Sequence, residues 1–64
     1  MTRDDIIKGL EIFEHYDPNG DICAEHDVIC GIALNTKISE ADQKVLEELG
    51  WIQNNEYDSW VAFT

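Results

Sequence analysis

Basic side chains are scarce in this 64-residue chain: Arg3, Lys8, Lys37 and Lys44 stand against fourteen acids, and none of the four lies between positions 8 and 37. A surface carrying a net charge of −10 repels nucleic acid and anionic membrane, so neither is an expected direct partner. Long apolar runs are lacking as well. The stretch Val28-Ile29-Cys30-Gly31-Ile32-Ala33-Leu34 falls far short of the roughly 20 residues that a bilayer helix requires. Met1-Thr2-Arg3-Asp4-Asp5 places two acids where a secretory signal needs a basic start followed by an apolar run, and a cytoplasmic protein is the expectation.

Cysteine occurs only at positions 23 and 30. Seven residues span about 23 Å in a strand and about 10 Å in a helix, whereas a disulfide needs Cα atoms within roughly 7 Å. Without a reversal between them the two cannot pair, and they are expected as free thiols packed like small core residues. No Cys-x-x-Cys pair supports zinc binding by Cys23, His26, Cys30 and His15, so no metal and no other cofactor is expected. Gly9, Gly20, Gly31 and Gly50 are too scattered to form a phosphate-cradling loop. Linkers, repeats and low-complexity tracts are absent from the sequence, and residues 1–64 read as one domain, of a size that hides only about 60% of its unfolded surface.

Enough apolar material remains to define elements. Ile6, Ile7, Leu10, Phe13 and Tyr16 recur at three- and four-residue steps and predict an amphipathic helix over 4–16, capped by Thr2 with Asp5 and stopped by Asp17-Pro18-Asn19-Gly20, an order that suits a type I turn. A strand is expected over 27–33, led by a single turn at 22–26, where Cys23, His26, Asp27 and Cys30 also fit one helical face. Ser39 with Asp42 caps a second helix over 40–49, with Ala41, Val45, Leu46 and Leu49 as its buried stripe and Gly50 as its stop. Trp51–Asn54 and Ser59–Phe63 flank a polar run and read as a hairpin. The fold class is α+β: two helices on a small, mainly antiparallel three-stranded sheet, in the order α-β-α-β-β.

Sites of chemistry fare poorly. Asp17, Asn19, Asp21 and Glu25 match positions 1, 3, 5 and 9 of a calcium loop, but Ile22 stands where its glycine belongs and Val28 where its bidentate glutamate belongs. Glu25-His26-Asp27 groups titratable residues, yet neighbours in a strand point to opposite faces, and a domain this small has little room for a ligand cavity of about 300 Å³ or more. The chain is therefore not expected to be an enzyme. The distribution of acids is more informative: Glu11, Glu14, Asp17, Asp21, Glu25 and Asp27 fill the stretch that lacks cations, and Glu47, Glu48, Glu56 and Asp58 form a second set. Residues three apart on a helix, such as Glu11 and Glu14, lie roughly 5–6 Å apart, and a phosphate backbone carries one charge per about 3.4 Å of each strand, so several such carboxylates imitate it approximately. Tyr57, amid the acids, is the candidate aromatic anchor, while Trp51, Trp60 and Phe63 are expected in the core.

With Gly20-Asp21-Ile22-Cys23-Ala24-Glu25-His26-Asp27, Leu49-Gly50-Trp51 and Glu56-Tyr57-Asp58-Ser59-Trp60, the chain resembles the small acidic, phage-encoded anti-CRISPR proteins of the DNA-mimic type in length, acidity and α/β make-up. That resemblance implies an inhibitor that occupies the DNA-binding or protospacer-adjacent-motif-reading surface of a CRISPR effector complex; a stoichiometric, monomeric inhibitor, in the host cell's cytoplasm if phage-encoded, is the expectation. Its partner would be a basic nucleic-acid-binding protein, such as a CRISPR effector subunit. The rival expectation is a small structural or adaptor protein that binds through an apolar sheet surface, its acids serving only solubility.

Overall fold

The structure, a computed structural model, describes residues 1–63. Helix α1 spans Arg3–Tyr16 and starts in a complete capping box: the Asp5 N–H donates to the Thr2 hydroxyl and the Thr2 N–H to the Asp5 carboxylate. Gly9 and Phe13 form its buried line, with Ile6, Leu10, Ile12 and Tyr16 packed at the margins, but Ile7 is exposed. At Asp17–Gly20 the chain turns with Asn19 at φ 62°, the left-handed third position of a type II turn rather than the expected type I, and its N–H is held by the Glu14 carboxylate.

The sheet has four strands, not three. Residues 22–26 do not form a helical turn; Cys23–Glu25 is strand β1, which pairs antiparallel with β2, Val28–Ala33, across a two-residue loop. His26 takes φ 49° at the first loop position, the geometry that matches hairpin twist. The chain order is thus α1-β1-β2-α2-β3-β4, with α2 at Glu40–Leu49, β3 at Ile52–Asn54 and β4 at Ser59–Phe63, and the sheet order is β1-β2-β4-β3, antiparallel throughout. The missed strand carries no Asn-Gly signal and is exposed at all three residues, so it lacks both the turn chemistry and the alternation that mark a strand locally.

Both helices cover one face of this sheet. Trp60 and Ala62 of β4 and Ile32 of β2 join Phe13, Ile38, Leu46 and Trp51 in the core. Ser59, Val61 and Phe63 alternate to the opposite face with their partners Ala33, Cys30, Val28 and Ile52. Phe63 therefore lies outside the core that the sequence suggested for it, and is about half exposed. In α2, Leu46 is buried and Leu49 half-buried, but Ala41 and Val45 face solvent. The helix is rolled so that Asp42 meets α1, where its carboxylate accepts from the Tyr16 hydroxyl.

Gly50 ends α2 at φ 103°, with its N–H bonded to the Glu47 carbonyl and the Trp51 N–H to the Leu46 carbonyl, the two bonds of a Schellman closure. The closure delivers Trp51 into the core with no exposed surface. Its indole packs on Gly9, meets the Phe13 ring edge to face at 4.9 Å, and donates from Nε1 to the Asp5 carbonyl at 3.2 Å. Phe13 in turn lies on Gly31, where the β2–β4 register shifts.

Replacing a helical glycine by alanine ordinarily stabilises by about 1 kcal/mol, but a methyl at Gly9 would fall inside the Trp51 indole, and overpacking costs about 1–3 kcal/mol. Gly9→Ala should lower the midpoint of a circular-dichroism melt by several degrees; a rise would mean that Trp51 is not seated there. In the capping box, the bond from the Thr2 backbone, followed by the Thr2 hydroxyl, holds the Asp5 carboxyl below its ordinary 3.8. A carboxyl depressed in the fold stabilises it above the unfolded value and loses that contribution as pH falls through the folded one. Asp5→Asn should melt below wild type at neutral pH, with the gap closing below about pH 4; a gap independent of pH would remove the charge from the cap.

Candidate functional site

All ten acids singled out in the sequence are exposed, but the fold does not gather them all into one place. Glu14, Asp17 and Asp21 border a cleft of about 180 Å³ at the C-terminal end of α1, floored by Leu10, Phe13 and Gly31. Asp21 also borders the adjoining cleft of about 320 Å³, together with Asp58, Tyr57, Cys23, Cys30 and Ser59. Around Tyr57 the charges of Glu25, Glu56 and Asp27 are felt at the phenol, which desolvation first and then these carboxylates push above its ordinary 10.0. Seven of the ten acids therefore follow one belt from the end of α1, across the β1–β2 edge, to the β3–β4 loop.

Local chemistry shapes that belt. Asn54 Oδ1 accepts from the Glu56 and Tyr57 N–H groups, folding the loop over itself, and Asp58 closes it at φ 52° with its carbonyl accepting from Leu34 N–H. Tyr57 is half-buried at the border of the 320 Å³ cleft.

Glu11 lies elsewhere. It borders a cleft of about 500 Å³ between the helices with Lys8, Ile12, His15, Asp42 and Val45, and Lys8 is itself paired with Asp4 at 3.1 Å. Glu47 and Glu48 stand on the outer side of α2. The clefts are larger than a 64-residue domain led us to expect, the two largest reaching the lower end of the ligand-cavity range of about 300–1,000 Å³.

Two features were not read from the sequence. Cys23 is exposed and Cys30 half-buried on the sheet face away from the helices, so neither is a core residue of the expected kind, and the hairpin supplies the reversal that brings them opposite each other. Ser59 is buried with no hydrogen-bond partner for its hydroxyl and borders the same cleft. Among the described residues no group of three or more His, Cys, Asp or Glu side chains is placed to hold a metal ion, and no helix is long and apolar enough to cross a membrane. No family model, curated protein or solved structure matches the chain.

A buried hydroxyl without a partner costs about 1–3 kcal/mol. Ser59→Ala should therefore raise the melting midpoint by a few degrees, whereas a drop would show that the hydroxyl is hydrogen-bonded in solution.

Proposed function

We propose that the protein is a monomeric, stoichiometric inhibitor that binds rather than catalyses, presenting its acidic belt to the lysine- and arginine-lined surface of a nucleic-acid-binding protein in place of DNA. The observation that carries this reading is the run of Glu14, Asp17, Asp21 and Asp58 along two adjoining clefts, the second bordered by Tyr57, whose phenol also feels the charges of Glu25, Glu56 and Asp27. Carboxylates supply long-range attraction and fast association, while a rigid aromatic among them supplies the desolvated contact that charge alone does not. The resemblance to DNA-mimic anti-CRISPR proteins makes the DNA-reading subunit of a bacterial defence complex the partner to test first.

A second reading is favoured by the face of the sheet away from the helices. Ile52 and Phe63 are each nearly half exposed there over the buried Val28 and Val61, two apolar side chains through which an adaptor would bind.

The two readings separate in a pull-down from bacterial lysate at low and raised salt. Under the first, a DNA-binding complex is retained, is released by salt and is displaced by duplex DNA. A folded Glu14→Lys, Asp17→Lys, Asp21→Lys variant should lose at least about tenfold in affinity, while Glu47→Lys, Glu48→Lys loses little. Retention that resists salt, survives the triple reversal and disappears with Phe63→Ser would replace mimicry by the adaptor.

A further inference from the structure

The β1–β2 hairpin turns the chain back at His26-Asp27 and sets Cys23 directly opposite Cys30. Antiparallel partners hold their Cα atoms about 4.5–5.5 Å apart, inside the roughly 4.4–6.8 Å range that disulfides occupy. Each thiol lies close enough to the other that Cys30 acts on the Cys23 thiol. Cys23 is exposed on a three-residue edge strand, while Cys30 sits half-buried beside it in a central one. Both border the 320 Å³ cleft, whose rim carries Asp21 and Asp58, and Glu25 acts on Cys23 from the same strand.

We propose that Cys23 and Cys30 form a redox-active dithiol that low-molecular-weight disulfides oxidise, cationic and neutral ones in preference to anionic ones. This does not rest on the partner assigned above. The Cys23 thiolate, open to solvent, attacks one sulfur of a disulfide RSSR; the S–S bond breaks, Cys23 gains an SR group, and the departing RS⁻ takes up the proton that Cys23 released. Cys30 then loses its proton and attacks the Cys23 sulfur, forming the Cys23–Cys30 bond and expelling the second RS⁻, which is protonated in turn. Two protein thiols are oxidised to one disulfide, and one RSSR is reduced to two RSH.

Selectivity comes from the carboxylates, which repel an anionic reagent such as glutathione disulfide and attract a dication such as cystamine. The Cys30 thiol and the charge that it would carry, then desolvation and Glu25, hold the Cys23 thiol above its ordinary 9.0. Attack is therefore slow at neutral pH and quickens as pH rises. β1 is an edge strand three residues long, and is free to adjust to the geometry of the bond.

The reduced full-length protein would be exposed to cystamine, 2-hydroxyethyl disulfide or glutathione disulfide, with each rate scaled to that of a small free thiol and products followed by intact mass. Wild type should end as a monomer lighter by two hydrogens, and Cys30→Ser should stop at a mixed disulfide on Cys23. At low salt the scaled rate with cystamine should exceed that with glutathione disulfide by roughly tenfold, the two converging at high salt. Wild type that keeps the adduct as Cys30→Ser does, that links to a second molecule, or that stays reduced would overturn the dithiol. Equal scaled rates at low salt would overturn the selectivity. Cys23→Ser, at an exposed position, should retain the native circular-dichroism spectrum and form no intramolecular bond.

Discussion

The indole of Trp51 lies against α1 where Gly9 has no side chain, meets Phe13 edge to face and donates its N–H to the Asp5 carbonyl. Such an indole buries about 150–250 Å² and holds its polar edge satisfied, so it contributes a large share of what a thin core can offer. The Schellman closure at Gly50 aims it, and two glycines, Gly9 on the helix beneath Trp51 and Gly31 on the strand beneath Phe13, set how closely α1 approaches the indole and the sheet. At Gly31 the register of β2 against β4 shifts, and the strands on either side of that irregularity keep Ile32 facing the helices and Cys30 facing away.

From that arrangement the surface chemistry follows. With both helices on one face, the opposite face and its rim are left to Cys23, Cys30, Tyr57 and the acids of the two hairpin ends. The α1 terminus at Tyr16 feeds Asp17 and Asp21 toward the same rim, because the Asp17–Gly20 turn is closed by a Gly20 N–H to Asp17 carbonyl bond and directs the chain back across the sheet. One-sign charge gathered along an edge strand also protects that edge: β1 is short, exposed and flanked by carboxylates, a poor template for adding another chain. The same crowding that disfavours edge-to-edge pairing creates the field in which a basic partner, or a cationic disulfide, would be drawn in.

Local signals were legible to within a residue. Thr2 with Asp5, Ser39 with Asp42, and Gly50 all perform the capping roles their identities imply, because a cap is satisfied by groups three or four positions away. The faces of the helices were less legible: Ile7 and Val45 fit the apolar period yet are exposed, and Asp42 of α2 meets Tyr16 of α1 across 26 residues of chain, a contact no local pattern announces. The acids were legible as a composition but not as a place: Glu14 borders the cleft at the end of α1, whereas Glu11, one turn earlier, borders the interhelical cleft.

By itself the sequence determined the α+β class, the two helices with their ends, and a surface dominated by carboxylates, since each depends on composition or on contacts within one turn of chain. Only the tertiary structure decided the fourth strand, the exposed position of Phe63, the meeting of Cys23 with Cys30 and the separation of Glu11, Glu47 and Glu48 from the other seven acids. The first three depend on strand register, and register is set by which residues the core accepts from distant parts of the chain, with Trp51 first among them.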